Sequence, residues 1–143
     1  MPASSLKVED LIPHRPPMVL IDSVESVDLS EKRLVASFVA RDEWRGNWFA
    51  LEYMAQAAAA LAGAFDKAAD DSATGRPGFL LGSRRIDLGI TEFVPGAKYL
   101  VSAVREYEDG DSAAFACEIW GADDGDRARR CTATLTAYRP PLQ

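Results

Sequence analysis

The sequence predicts an α+β fold in which an antiparallel sheet wraps around one long central helix. The segment 48–65 is rich in alanine, contains no proline and can carry a charge only at Glu52, which is typical of a buried helix. Two segments with strand character precede it and four follow it. A single apolar helix beside six strands must be covered by the sheet on most of its sides. The small alanine side chains would let the sheet approach the helix closely and curve around it.

The chain before the sheet is short and stiff. Residues 6–12 have helical character that ends at Pro13, because a residue before proline disfavours the helical region. The turn 13–17 then carries His14, the only histidine of the sequence. Its prolines fix φ and lack amide donors, so we expect the histidine to be held on a rigid loop.

The predicted strands come in two groups. Residues 18–27 and 33–40 form a hairpin around a turn at 29–32. After the helix, an exposed connection at 66–77 leads to four strands that we predict as a meander, at residues 78–88, 98–107, 112–120 and 128–138. Their turns contain glycine, proline and aspartate, which suit tight turns. The strand at 78–88 would leave an open edge, which a homodimer could cover.

Length and composition indicate one globular domain over residues 1–143. The apolar fraction of 48% and charged fraction of 27% are those of a soluble protein, and the one apolar run contains Glu52, which argues against a membrane span. No secretory signal is visible, so a cytoplasmic location is the default expectation. The net charge of −6 disfavours nucleic acid as a partner.

Two further groups of residues allow a structural or a functional interpretation. Cys117 and Cys131 fall on predicted neighbouring strands without metal-ligand spacing, so we expect buried free thiols and predict no metal or cofactor. Arginines occur at two places near strand ends, and they form either solvated ends or a patch for an acidic partner: Arg84, Arg85, Arg127, Arg129 and Arg130.

Glu52 is the first candidate site residue. It shares one stripe of the helix with Gln56, and a carboxylate on so apolar a helix needs a partner, a proton or contact with water. The alternative is a glutamate at a partly solvated helix start, where the helix dipole favours negative charge.

Short motifs across nearly the whole chain carry a family resemblance. The residues LIPHRPPMVLID at 11–22, EYMAQ at 52–56 and FVPG at 93–96 resemble, in the same order, motifs of the FabZ-type β-hydroxyacyl-acyl carrier protein dehydratases. The resemblance implies their hotdog fold. It also implies dehydration of a 3-hydroxyacyl thioester carried by acyl carrier protein to a trans-2-enoyl product.

One segment departs from that family. Residues 41–48, RDEWRGNW, replace the loop that carries the family's usual catalytic histidine. With GFLLG at 78–82, the chain is similar to the divergent, ApeP-like branch found in aryl polyene pigment clusters.

The resemblance also implies roles for individual residues. Dehydration needs a base, an acid and donors for an enolate-like oxygen, and Glu52 could be either the acid or the base. His14 could take the other role, or it could only fix its loop. Gln56 would orient the carboxylate. The backbone amides at the helix start would hold the thioester oxygen, namely those of Asn47, Trp48 and Phe49.

The aromatic side chains at the helix start, Trp44, Trp48 and Phe49, have two interpretations. They form core and interface, or they line an acyl tunnel.

Three functions remain open from the sequence: a dehydratase, a catalytically impaired partner subunit of a heteromeric dehydratase, or a hotdog acyl thioesterase. Fold analogy does not choose among them. For the first, a separation of His14 and Glu52 beyond about 8 Å would exclude a catalytic pair, because proton transfer needs hydrogen-bond reach.

Overall fold

In the described part of the chain, one helical turn comes first and is followed by a sheet that surrounds a central helix. This architecture is seen in a computed structural model that describes residues 6–16, 18–73, 75, 78–125 and 127–140. Parts of four predicted features lie outside the described residues: the N-terminal segment, the proline turn at Pro17, the connection at 66–77 and the turn at 122–126.

The helices are α1, Val8–Leu11, and α2, Ala50–Ala69. Helix α2 starts later than predicted because Asn47–Phe49 forms a 3₁₀ turn, in which the Phe49 amide donates to the Gly46 carbonyl at 3.1 Å. It also ends later than predicted. Arg139 donates two hydrogen bonds, of 2.6 and 3.1 Å, to Asp66, and this paired contact ties the last turns of the helix to the end of the sheet.

Six strands form one antiparallel sheet: β1 Ser23–Asp28, β2 Arg33–Val39, β3 Phe79–Leu88, β4 Lys98–Asp109, β5 Ser112–Gly121 and β6 Arg130–Tyr138. The boundaries of β2 to β6 are close to those predicted. Strand β1 begins later than the predicted start at residue 18, because the amides of Leu20 and Ile21 donate to the Gln56 side chain of α2 instead of to a strand. Their order is β1-β2-β4-β5-β6-β3. The hairpin is confirmed, but the predicted meander of four strands is wrong. Strand β3 pairs with β6 instead of β4, because β4 is already paired with β2 on its other side and β5 follows it through a tight turn.

The sheet packs on α2 through aromatic rings and small residues. Phe38 stacks on Tyr53 with 3.7 Å between ring centroids, and Phe93 meets both rings edge-on. Burial raises the pKa of Tyr53 to about 12. On the other side of α2, a Cβ at Gly63 would overlap the backbone of Leu11, so glycine is what lets α1 lie against the helix.

Both cysteines are buried and free, as predicted. Burial raises the pKa of Cys117 to about 12, and its thiol points at the Met54 carbonyl of α2. Within the described residues, no helix is long and apolar enough to cross a membrane. Strand β3 lies at an edge of the sheet, as expected, and exposes Leu80, Leu81 and Ile86.

Candidate active site

The loop that carries His14 is held by hydrogen bonds between its own residues. The guanidinium of Arg15 donates to the carbonyls of Ile12 at 3.0 Å and of His14 itself at 2.7 Å, and the Met18 amide donates to the Arg15 carbonyl at 2.9 Å. The prolines at 13 and 16 were the sequence signal for this stiffness, whereas the part played by Arg15 was not foreseen. The loop therefore presents the imidazole in a defined place.

His14 and Glu52 meet at the start of α2. Nε2 of the histidine is 3.6 Å from Oε1 of the glutamate, well inside the limit set for a catalytic pair. The two side chains are 29% and 39% exposed, so the carboxylate is not buried as the apolar helix suggested. It is at the surface end of the helix, beside a histidine and within reach of water.

Gln56 connects this carboxylate to the chain that follows the histidine loop. Its Nε2 donates to Glu52 Oε1 at 3.0 Å and to the Met18 carbonyl at 2.7 Å. Its Oε1 accepts from the amides of Leu20 at 2.8 Å and Ile21 at 3.4 Å. The side chain is fully buried. The orienting role of Gln56 stays a prediction, and its additional clamp on residues 18–21, made by these hydrogen bonds, was not visible in the sequence.

One atom of the pair has no partner. Nδ1 of His14 is buried and, within the described residues, makes no hydrogen bond. Both contacts to the carboxylate, from Gln56 and from His14, use Oε1. Oε2 of Glu52 is the oxygen left for a further proton or ligand.

The predicted substrate-binding residues at the helix start differ in whether their backbone amides are free and in how exposed their side chains are. The Phe49 amide is occupied by the Gly46 carbonyl, so of the three amides only those of Asn47 and Trp48 remain candidates for holding an oxygen. Trp48 is 73% exposed and its ring lies 5.8 Å from that of Phe49. Phe49 is also 6.4 Å from Trp44. The aromatic group exists, and its members differ in burial: Trp44 and Phe49 are partly buried and pack against the core, whereas Trp48 lies at the surface.

A cavity of about 290 Å³ lies along α2, and neither His14 nor Glu52 is part of its lining. Pro13, next to His14, is part of the lining, as are Arg105 and Arg139. Phe115 and Leu135 form part of the sheet wall. The helix wall consists only of small side chains, spaced along one face: Ala55, Ala58, Ala59 and Ala62. The sequence suggested that these alanines let the sheet approach, and on this face they leave space instead.

A curved antiparallel sheet around one helix, with an acidic residue on the first turns of that helix, defines a hotdog-fold protein. The more particular assignment comes from the family comparison. The chain belongs to the ApeP-like family, described as ApeP dehydratase, whose model matches residues 6–143. None of the curated proteins compared with the chain matches it.

Solved structures share the fold. The dehydratase heterocomplex ApeI:P from Xenorhabdus doucetiae is 24% identical, with a TM-score of 0.80 over 95% of this chain and 92% of that one. A hypothetical thioesterase from Streptococcus pneumoniae with coenzyme A is 11% identical, with a TM-score of 0.60 over 85% and 87%. An uncharacterized Pyrococcus horikoshii protein is also 11% identical, with a TM-score of 0.64 over 96% and 97%.

Proposed function

We propose that this chain dehydrates 3-hydroxyacyl groups, carried as thioesters on acyl carrier protein, to trans-2-enoyl products. The observation that carries the proposal is the 3.6 Å approach of His14 Nε2 to Glu52 Oε1 in a member of a dehydratase family. It supplies two proton-transfer groups at one point, although the loop at residues 41–48 contains no histidine.

The two groups can divide the chemistry. Glu52 takes the α-proton through Oε2, the oxygen that neither Gln56 nor His14 contacts. The electrons of that C–H bond first pass toward the thioester oxygen as an enolate, and they form the new double bond when the bond from C3 to oxygen breaks. Protonated His14 gives its proton to the departing hydroxyl, which leaves as water. Transfer of a proton from Glu52 to His14 then restores the pair.

The cavity along α2 suits an apolar acyl chain. Pro13, next to His14, is part of its lining, and its helix wall carries only alanine side chains. An acyl chain entering there would place its thioester end near the histidine loop and the helix start. The amides of Asn47 and Trp48 would then hold the enolate-like oxygen, since a helix start presents free donors and positive potential.

Assembly with a second chain is part of the proposal. The solved ApeI:P structure is a heterocomplex of dehydratases, and this chain has an edge strand, β3, with exposed Leu80, Leu81 and Ile86. An unpaired edge strand has free backbone N–H and C=O groups that can pair with another sheet, and exposed apolar side chains favour such pairing. We infer that β3 pairs with a second copy or with a paralogous dehydratase.

Activity of two single variants tests the roles. On a 3-hydroxyacyl carrier thioester, Glu52→Gln and His14→Gln should each lower enoyl formation by about 10²- to 10⁴-fold, the usual range for losing a general acid or base. Glu31→Gln, at an exposed carboxylate of the first hairpin, serves as control. Full activity of Glu52→Gln would contradict the proposal.

Hydrogen exchange separates the two roles. In deuterated water, His14→Gln should still exchange the α-proton of the substrate without eliminating water, whereas Glu52→Gln should do neither. The reverse pattern would make His14 the base.

Two other functions have their own signatures. Release of free thiol without any enoyl product would indicate a thioesterase, the activity named for the Streptococcus pneumoniae neighbour. Activity that appears only after a paralogue is added, and that survives Glu52→Gln, would indicate a partner subunit with an impaired site.

A further inference from the structure

A depression of about 330 Å³ lies on the outer face of the sheet, on the side away from α2. Its floor spans β4, β5 and β6, where the register sets Ser102, Glu118 and Thr132 in one row. These side chains point away from the helix because those of Cys117 and its alternate neighbours point toward it. The depression is therefore separate from the His14 and Glu52 pair.

Three arginines from three different parts of the chain line this outer-face pocket: Arg33 on β2, Arg85 on β3 and Arg127 in the turn before β6. The sequence had suggested a patch that included Arg85 and Arg127. Arg33 was not part of that prediction, because only the pairing of β2 with β4 brings it here.

The backbone is unusual at two of these three residues. Among the described residues, three other than glycine have a positive φ, and two of them are Arg85 at 55° and Arg127 at 52°. Arg85 lies in a bulge, where the register with β6 shifts between Arg84 and Asp87. Left-handed backbone is unfavourable at a side chain of this size and concentrates at functional sites. Both strained positions direct an arginine to the same pocket.

The charges around the pocket do not balance. Glu118 is the carboxylate of its lining, and it is already approached by Arg127 at 3.4 Å and Arg130 at 3.9 Å. Arg33 and Arg85 make no ion pair within the described residues. Asp87 faces Thr132 across the register but is not part of the lining. The pocket is thus positive in a chain whose net charge is −6.

The remaining groups of the lining suit an anion with several oxygens. Ser102 and Thr134 are buried, and their hydroxyls can donate to an oxyanion. Arg127 lies over the Trp120 ring at 3.7 Å, which holds its guanidinium in place. Planar guanidinium groups that meet several oxygens at once are typical of phosphate recognition. A single carboxylate would leave at least one arginine without a counter-charge.

We propose that the outer-face pocket binds the phosphoryl group of a small phosphorylated molecule or of free phosphate. Arg33 and Arg85 supply the charge that lacks a partner, Arg127 is held by Trp120, and the buried hydroxyls complete the set of donors. The site is on the opposite face of the sheet from α2 and does not depend on the proposed dehydration.

Titration calorimetry at low ionic strength tests the proposal on the full chain. The probes are inorganic phosphate, glycerol phosphate and, as a monocarboxylate, acetate. We expect phosphate to bind and acetate not to bind. The variants Arg33→Gln and Arg85→Gly should each weaken phosphate binding by about tenfold or more, the scale of one charge-assisted hydrogen bond. Glycine is chosen at 85 because it tolerates the positive φ there.

Lys67→Gln is the matched control, because it removes one positive charge at the end of α2 and should bind phosphate as the unaltered chain does. Thermal unfolding in the absence of phosphate checks that Arg33→Gln and Arg85→Gly are folded. Tighter binding of glycerol phosphate than of phosphate would identify an ester as the ligand, and the reverse would identify the free ion. Absence of phosphate binding, equal binding of acetate, or equal affinity in Arg85→Gly and Lys67→Gln would overturn the proposal.

Discussion

Gln56 donates a 3.0 Å hydrogen bond to Glu52 one helical turn away. The same amide holds the backbone of residues 18–21. One fully buried side chain thereby links the carboxylate of the site to the segment that follows the histidine loop.

Replacing this amide should lower both stability and activity. Gln56→Leu keeps a similar volume but leaves the Met18 carbonyl and the Leu20 amide without their partner. Each buried group left unsatisfied costs about 1 to 3 kcal/mol, so urea denaturation should show a total loss of roughly 2 to 6 kcal/mol for the two groups. Ala68→Leu, at an exposed position of the same helix, should change stability by less than about 0.5 kcal/mol. An unchanged urea midpoint for Gln56→Leu would contradict the stabilising role of the Gln56 hydrogen bonds.

Filling the cavity should shorten the range of acyl chains accepted. Ala59 lies on its helix wall, and Ala59→Leu would occupy space that a long acyl chain needs. We expect kcat/KM to fall about tenfold for long 3-hydroxyacyl thioesters, the scale of a few methylene contacts, and to stay constant for four-carbon ones. Ala68→Leu should affect neither substrate. Equal losses for short and long chains would mean that the cavity does not hold the acyl chain.

A charge on the edge strand should prevent association. Leu81 is 61% exposed on β3, and a lysine there would oppose pairing with a second sheet. Light scattering after gel filtration should show a dimer for the unaltered chain and a monomer for Leu81→Lys. Val94→Lys, which replaces an apolar side chain 60% exposed elsewhere, should remain dimeric. A dimer for both variants would place the interface away from β3.

The carboxylate of Glu25 should contribute stability that depends on pH. Hydrogen bonds, first from Ser37 and then from Lys98, lower the pKa of Glu25 below its ordinary value of 4.5. A group whose pKa is lowered by folding stabilises the protein above its ordinary pKa, and this stabilisation is lost as the pH falls through the lowered value.

Comparison with Glu25→Gln measures that contribution. Because the side chain is 37% exposed, solvent screening limits the difference in unfolding free energy to about 0.5 to 1 kcal/mol at pH 7. The difference should shrink as the pH falls below 4.5. A difference that grows toward acid would contradict the assignment.

The elements of the fold were predictable from the sequence, and their order in the sheet was not. Alanine content and alternation indicate one helix and six strands because these patterns are local. Which strand lies beside β6 depends on contacts between distant segments, so the meander was the wrong expectation for β3. The helix start was shifted because the Phe49 amide turns back to Gly46, a detail that composition does not encode.

The sequence indicated which residues are candidates for the site, but not how they are arranged in space. The motif at 52–56 pointed to Glu52 and Gln56, and the only histidine of the sequence was an evident candidate. Their approach depends on how the loop at 13–16 packs on α2. The pocket of three arginines was hidden for the same reason, since β2, β3 and the turn before β6 contribute one residue each.

The position of β3 also bears on how the chain is made. During synthesis β3 leaves the ribosome before β4, β5 and β6, yet the strand it pairs with is β6. Until β6 emerges, the apolar side chains of β3 have neither a neighbouring strand nor a completed core beside them, a condition that favours aggregation of nascent chains. Co-translational capture by a chaperone or by an already folded second subunit would protect this strand, so the yield of folded protein should depend on what is present while the chain is being translated.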